Sequence, residues 1–517
     1  MGTGSLLGTL SDTGFLVTTL ARRGLLTPGS PVRVVRQLDQ LRRWGFGLAG
    51  ELRQAAAREP GRVAVIDERG PTTYGELLER SEKLARALDL DPGDRVGLLL
   101  RNSAAMIETL VAVTMVGADP VLLNTGLSGP QLVAVVRDQG LRHVVHAAEF
   151  DLGELDCGIP EQRLDDLIAG APAGRLEPPA RPGRTIVLTS GTTGTPKGAR
   201  RPTPGGFGPL ASIIDRIPLR AGARVLIAAP LFHTWGFAGL QIALALHATI
   251  VLRRKFDPAI VLQTLAEQQC TALIAVPVML QSLMELPPGG RTPPLSVVAV
   301  SGSALPGGLA TRFMDRYGDV LYNLYGSTEA SWASIAPPAD LRAAPGTAGR
   351  PPHGTRVAVL DVSGRPVPAG APGRLFIGNE RLFEGYTDGA SKEIRDGLLA
   401  TGDVGHLDEA GRVFVDGRED DMIVSGGENV FPSEVENLLA DLPEVREVAV
   451  IGVPDDAYGQ RLAAYLVLHP GTALDEDGVR DHVRRFRARF CVPRDVVFLA
   501  ALPRNATGKI LTRDLPR

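Results

Sequence analysis

From about residue 64 onward, short β-branched runs alternate with longer stretches in which apolar positions recur every three or four residues. The runs at 95–100, 143–146, 185–189, 225–229 and 297–300 predict buried strands, and the Ala/Leu-rich stretches 74–88 and 103–116 predict helices. Strands alternating with helices imply an α/β fold of mostly parallel, doubly wound sheets. The most apolar stretch, 236–252, contains Gln241 and His247 and is too short and polar for a bilayer span, so it reads as a core helix running into a strand. Over 346–386 the pattern changes to short strands broken by Gly and Pro, which predicts a small β-rich subdomain. A compact α/β module follows, with elements expected at 433–439, 448–452, 463–468, 479–486 and 496–498. The expected organisation is an N-terminal extension over 1–48, a large domain over 49–417 and a small C-terminal domain over 418–517.

The extension carries Arg22, Arg23, Arg33, Arg36, Arg42 and Arg43 against Asp12 and Asp39, with Val34, Leu38 and Leu41 at helical spacing and Trp44 and Phe46 after them. Two readings stay open: a basic amphipathic segment resting on anionic lipid, or a helix packed on the protein's own surface. No secretory leader is evident, which points to the cytoplasm, with membrane association left open. The net charge of −3 gives no footprint for a polyanion, so nucleic acid is not an expected partner. Cys157, Cys270 and Cys491 have neither metal nor redox spacing, and the eight histidines show no paired-ligand pattern. Lysine usage is more informative. Of 55 basic residues five are lysine, namely Lys83, Lys197, Lys255, Lys392 and Lys509. Where arginine serves as the general positive charge, a retained lysine marks a place that needs a compact ammonium.

Lys197 closes the segment 189–198, TSGTTGTPKG, which follows an apolar strand. Its glycines admit backbone N–H groups close to an anion, its hydroxyls donate hydrogen bonds, and Lys197 adds a point charge. It is not a Walker A loop, because Gly198 and not Ser or Thr follows the lysine. The segment resembles the phosphate loop of the adenylate-forming superfamily, which includes acyl-CoA synthetases, nonribosomal-peptide adenylation domains and firefly luciferase. The resemblance covers about residues 50–517, and further motifs follow in the family's order.

By that resemblance Thr189, Ser190, Gly191, Thr192, Thr193, Gly194 and Lys197 hold the ATP phosphates. In YGSTEA, 325–330, Tyr325 and Gly326 lie against adenine, Thr328 contacts phosphate and Glu329 binds Mg²⁺, a cation that prefers oxygen ligands. In SGSALP, 301–306, Gly302 and Ser303 approach the nucleotide or the acyl group. Asp403 of TGD binds the ribose diol, a suitable partner for a carboxylate, and Arg418 reaches ribose and phosphate. In LFHTWGF, 231–237, His233 sits beside the substrate carboxylate, and Trp235 either gates an acyl tunnel or packs in the core. Lys509 of PRNATGKI, 503–510, is the implied catalytic lysine of adenylation. Asp420 falls at the hinge about which the family's mobile C-terminal domain turns, and Ser425, Gly426 and Gly427 would line the coenzyme A channel. Arg374 stands where the family often has an acidic residue, which removes one local salt bridge from expectation.

The resemblance implies an ATP-, Mg²⁺- and coenzyme A-dependent ligase that joins a carboxylic acid to CoA through an acyl-adenylate. The Gly- and Ala-containing apolar segment after His233 favours a medium- or long-chain fatty acid. Alternatives are an aromatic or other small acid, a ligase that loads a carrier protein, and a non-catalytic lipid-binding relative. A homodimer is left open.

Overall fold

Two large sheets, parallel through their centres, carry most of residues 63–336. The structure, a computed structural model, describes residues 3–27, 30–189, 196–287, 293–425, 428–455, 458–505 and 508–516. The eight-stranded sheet runs in the order Ser334–Ala336, Leu321–Tyr325, Val297–Val300, Ala272–Ala275, Arg224–Ile227, Thr249–Val251, Val63–Asp67, Gly70–Thr73. Its two outermost pairs are antiparallel. The connections there are short, whereas a parallel crossover needs about a dozen residues or more. The six-stranded sheet runs Gly158–Pro160, His143–His146, Arg95–Leu99, Asp119–Leu122, Ile186–Thr189, Lys197–Arg200, and only its last pair is antiparallel.

Between these sheets lies the helix Ala104–Met115, buried along its whole length. A helix apolar on every side belongs in such a place. Its N-cap Ser103 accepts from the Met106 amide, and its one acid, Glu108, is paired with Arg80 at 2.8 Å and Arg69 at 3.3 Å. The predicted helix at 74–88 is Tyr74–Ala87, started by a Thr73/Glu76 capping box. The stretch 236–252 forms the helix Thr234–Ala245 and the strand Thr249–Val251.

The N-terminal segment packs on this body. Helix Thr3–Arg22 places Phe15 in a stack on His353, with centroids 3.9 Å apart. Helix Pro31–Trp44 lies against the buried helix Leu48–Arg58 through Gln37 and Gln54 (2.6 Å). Arg23 donates to the Ile214 carbonyl at 2.7 Å. Val32, Val35 and Leu38 remain exposed. Among the described residues no helix is long and apolar enough to cross a membrane.

A third, antiparallel sheet joins Arg356–Leu360, Gly373–Gly378, Leu398–Leu407, Ile394–Arg395 and Val413–Arg418. The chain leaves it through the single turn Glu419–Asp421 and enters a fourth sheet built on Ile423–Ser425, Glu428–Val430, Val445–Asp455, Gly459–Leu468 and Asp495–Phe498. Arg374 does form ion pairs, with Glu393 at 2.9 Å and Glu419 at 3.2 Å. The expected loss at this position is corrected: the basic side chain finds acids just before the short strand Ile394–Arg395 and on the connecting turn.

Candidate active site

The site collects at the C-terminal ends of the parallel strands, where open α/β sheets leave a crevice. Tyr325 ends the strand Leu321–Tyr325, and its hydroxyl donates to Asp403 Oδ2 at 2.5 Å. Asp403 faces Arg418 across an antiparallel pair, with Nη1 3.9 Å from Oδ1. Burial pushes the Asp403 carboxyl above its ordinary value, opposed by the Tyr325 hydrogen bond and by the charges of Arg418, Lys392 and Lys509. Burial, with Asp403 close by, also holds the Tyr325 phenol protonated. Gly326 is required at the next position, because a Cβ there would lie 2.2 Å from the Ser331 carbonyl oxygen.

Glu329 is buried, and Tyr386 donates to its Oε1 at 2.6 Å. Burial disfavours its charge, but the Lys392 ammonium and hydrogen bonds led by that of Tyr386 outweigh it, so the carboxyl is held below its usual value. Lys392 is itself fixed by donating to the Thr401 carbonyl at 2.7 Å. Lys197 opens the strand Lys197–Arg200, pairs with Asp388 at 3.0 Å and lies 5.7 Å from the Tyr386 ring. Thr189, at the end of the preceding strand, donates to the Lys197 carbonyl at 3.2 Å. Ser190, Gly191, Thr192, Thr193 and Gly194 lie outside the described residues, as do Gly426 and Gly427.

On the acyl side His233 caps the helix Thr234–Ala245. Burial lowers its pKa to about 4, so the ring is neutral at physiological pH, and its Nδ1 has no hydrogen-bond partner. Thr234 and Thr328 share a hydroxyl hydrogen bond of 2.8 Å, which ties the segment of His233 to that of Glu329. The Thr328 carbonyl accepts from the buried Arg201, whose pKa falls to about 9 through burial and the nearby Arg381. Trp235 is 5% exposed and donates to the Ala275 carbonyl at 3.0 Å, so it packs in the core. A Cβ on Gly302, whose φ is +98°, would lie 3.6 Å from His233 Cε1, and Ser303 is exposed beside it.

The C-terminal loop reaches the same crevice. Gly508 has φ +84°, and a Cβ on it would lie 2.5 Å from Val278 Cγ1, beside the Val276 that also neighbours Gly302. Arg504 braces the loop by donating to the Gly508 carbonyl at 2.7 Å while paired with Glu447 at 2.6 Å. Arg446 pairs with Glu285 at 2.6 Å and holds the C-terminal module against the large body. The exposed Lys509 is thus delivered close enough for its charge to act on Asp403. Asp420 is exposed in the turn Glu419–Asp421, and Ser425 is buried in the strand Ile423–Ser425, in register with Gly459.

The sequence motifs missed Tyr386, Asp388, Lys392 and Arg201. Lysine scarcity could have found one of them: Lys197, Lys392 and Lys509 converge here, whereas Lys83 makes an exposed helical pair with Glu79.

The model of the AMP-binding enzyme family matches residues 52–387, and that of the AMP-binding enzyme C-terminal domain matches 434–509. The chain belongs to this family, the adenylate-forming ligases. It is an AMP-forming acid–thiol ligase that works through an acyl-adenylate with ATP, Mg²⁺ and coenzyme A. It is 34% identical over 483 residues to a feruloyl-CoA synthase of an Amycolatopsis species, covering 89% of this chain and 97% of that one. It is 32% identical to an indoleacetate–CoA ligase of Aromatoleum aromaticum, covering 89% and 96%. The fold matches that of o-succinylbenzoate CoA synthetase from Bacillus subtilis bound to its acyl-adenylate, with a TM-score of 0.81, 28% identity, and 90% and 98% of the two chains covered.

Proposed function

We propose that this ligase activates an aromatic carboxylic acid. The observation that carries the reading is the set of relatives spanning nearly the whole of their own length, whose names specify feruloyl, indoleacetate and o-succinylbenzoate groups. This replaces the fatty-acid reading drawn from the segment after His233. Trp235, just before that segment, is fixed in the core.

In the first half-reaction a carboxylate oxygen attacks the α-phosphorus of ATP and the bond to pyrophosphate breaks. Asp403 and Arg418 hold the ribose, Tyr325 lies against the base, and the loop with Lys197 holds the phosphates. Lys509 neutralises the charge that builds on the phosphate oxygens, the kind of preorganised electrostatic donor that dominates such transfers. His233 is neutral and orients the carboxylate without competing for its charge. Glu329, one ionised carboxylate near the Thr328 hydroxyl, suits Mg²⁺, which takes one or two carboxylates and completes its shell with phosphate oxygens and water. That cation would neutralise charge on the ATP phosphates. In the second half-reaction the CoA thiol attacks the acyl carbonyl and AMP leaves. The module beyond Asp420 turns to withdraw Lys509 and bring the 425–427 segment to the thiol arm.

Mass spectrometry of products from ATP, Mg²⁺ and a panel of aromatic and straight-chain acids, with and without CoA, tests the reading. Aryl acids forming acyl-CoA only when CoA is present, at least tenfold faster than straight-chain acids, is the expected result. Turnover of straight-chain acids alone would overturn the aromatic assignment.

A further inference from the structure

A cavity of about 540 Å³ lies between the N-terminal segment and the large body, and among the described residues four arginines and no acid line it. Two of these arginines are buried, Arg201 at 6% exposure and Arg381 at 5%. Arginine is seldom buried without a partner of opposite charge. The partners found for this pair are neutral. Arg201 donates to the Thr328 carbonyl and the Ser331 hydroxyl, and Arg381 donates to the Pro202 carbonyl. Such acceptors satisfy donors without cancelling charge. Arg201 Nε is buried with no hydrogen-bond partner at all.

The acids whose charge reaches the pair are engaged elsewhere. Glu329, which acts on Arg201, is held by Tyr386 and the Lys392 charge. Of the two that act on Arg381, Glu384 pairs with Arg184 at 2.8 Å and Glu380 is exposed. Burial lowers the pKa of both arginines, to about 9 and about 10, and the Arg381 charge lowers that of Arg201 further. Taking two like charges out of water together is unfavourable unless a group of opposite sign joins them.

The outer wall is residues 41–49, which precede the family match at 52–387. Arg43 there is paired with Glu177 at 2.9 Å, and Arg42 is exposed. Trp44 and Phe46 are fixed: the Arg53 guanidinium lies 3.7 Å over Trp44, and Phe46 meets Phe207 edge-on at 5.0 Å. Phe237, from the helix Thr234–Ala245, adds a third ring to the lining.

We propose that this cavity binds a small organic anion, a carboxylate or phosphate monoester on an aromatic body, with its oxyanion held by Arg201 and Arg381. The planar guanidinium fork matches both kinds of oxyanion. Trp44, Phe46 and Phe237 offer ring surface to the body of the ligand. The volume is within the roughly 300–1,000 Å³ of small-molecule pockets. No passage to the site at His233 is required, and the identity of the acid activated there is immaterial.

The test is isothermal titration calorimetry of the full-length enzyme with phenyl phosphate, phenylacetate, the neutral phenylacetamide and inorganic phosphate. Saturating AMP keeps the nucleotide crevice filled, and without ATP no acid is activated. Arg381→Met removes one buried charge. Gly205→Phe fills the cavity from a position where a Cβ meets nothing within 4 Å, and it reads alone should Arg381→Met not fold. At least one aryl anion should bind tenfold or more tighter than the amide and than inorganic phosphate, and each variant should weaken that binding tenfold or more. Phenyl phosphate alone would mark the ligand as a phosphate monoester, and phenylacetate alone as a carboxylate. Phenylacetate held at His233 instead would survive both variants. Anion binding within twofold of the parent in the folded variants overturns the proposal, as does an amide or a bare phosphate bound as tightly as the aryl anions.

Discussion

The nucleotide crevice and a cavity of about 540 Å³ lined by Phe237 and Gln241 share the helix Thr234–Ala245, yet they are held together by different means. In the crevice charges meet counter-groups: Lys197 faces Asp388, Arg418 faces Asp403, and Lys392 and Tyr386 serve Glu329. The cavity is bordered by Trp44, Phe46 and Phe237, by prolines and glycines, and by Arg42, Arg43, Arg201 and Arg381. Chemistry depends on groups whose charge and direction are set before substrate arrives, and such groups need polar partners. Substitutions in the crevice should therefore change rate and pH dependence, and those near the N-terminal segment should change stability.

The largest effect expected is that of Lys509→Ala, which should slow ATP–pyrophosphate exchange by roughly 10²–10³. Its melting temperature should stay that of the parent, since Lys509 is exposed. Tyr386→Phe follows. It removes a hydrogen bond to an ionised carboxylate, worth about 1.5–3 kcal/mol, so kcat/KM for MgATP should fall by about ten- to a hundredfold, with thioester formation from preformed acyl-adenylate much less affected. Lys392→Met acts through the Glu329 charge. Lys392 lowers the Glu329 pKa, so its removal lets burial raise that pKa, and activity should fail at a higher pH than in the parent. Lys392→Arg should restore much of the acid limb, which separates charge from shape.

The smallest effect distinguishes the other region. His247 is buried where the helices of the N-terminal segment meet the body, 2.8 Å from Gln54 Oε1, and burial lowers its pKa from 6.5 to about 4. Between those values the unfolded chain binds a proton that the folded one refuses, so stability falls as pH drops from 6.5 toward 4. His247→Gln should flatten the dependence of unfolding free energy on pH by about 2 kcal/mol between pH 7 and 5. An unchanged slope would show that this junction does not exclude the proton.

The same contrast decides what could be read from the chain before folding. Strands such as His143–His146 and Val297–Val300 stood out because central parallel strands are apolar on both faces. Glu329, Asp403 and Lys509 were visible because their chemistry needs fixed neighbours in sequence. Tyr386 and Asp388 were not: they come from the loop between strands of the third sheet, and Tyr386 reaches the crevice by a bridge to Ala199. No local pattern encodes that crossing. Trp235 was ambiguous because an aromatic in an apolar helix reads alike whether it gates or packs, and its bond to Ala275 comes from a strand forty residues away. Arg374 was misjudged because sign alone was considered, whereas Glu393 and Glu419 supply the complementary charge.

The convergence of three of five lysines has a further consequence. The enzyme makes a mixed anhydride, which is a reagent that acylates amines. Apart from its N-terminus, this chain offers such a reagent two amines outside the crevice, Lys83 and Lys255. Misdirected acyl-adenylate thus finds few places to leave a scar, and an amine-directed label applied with and without MgATP would come close to counting active centres.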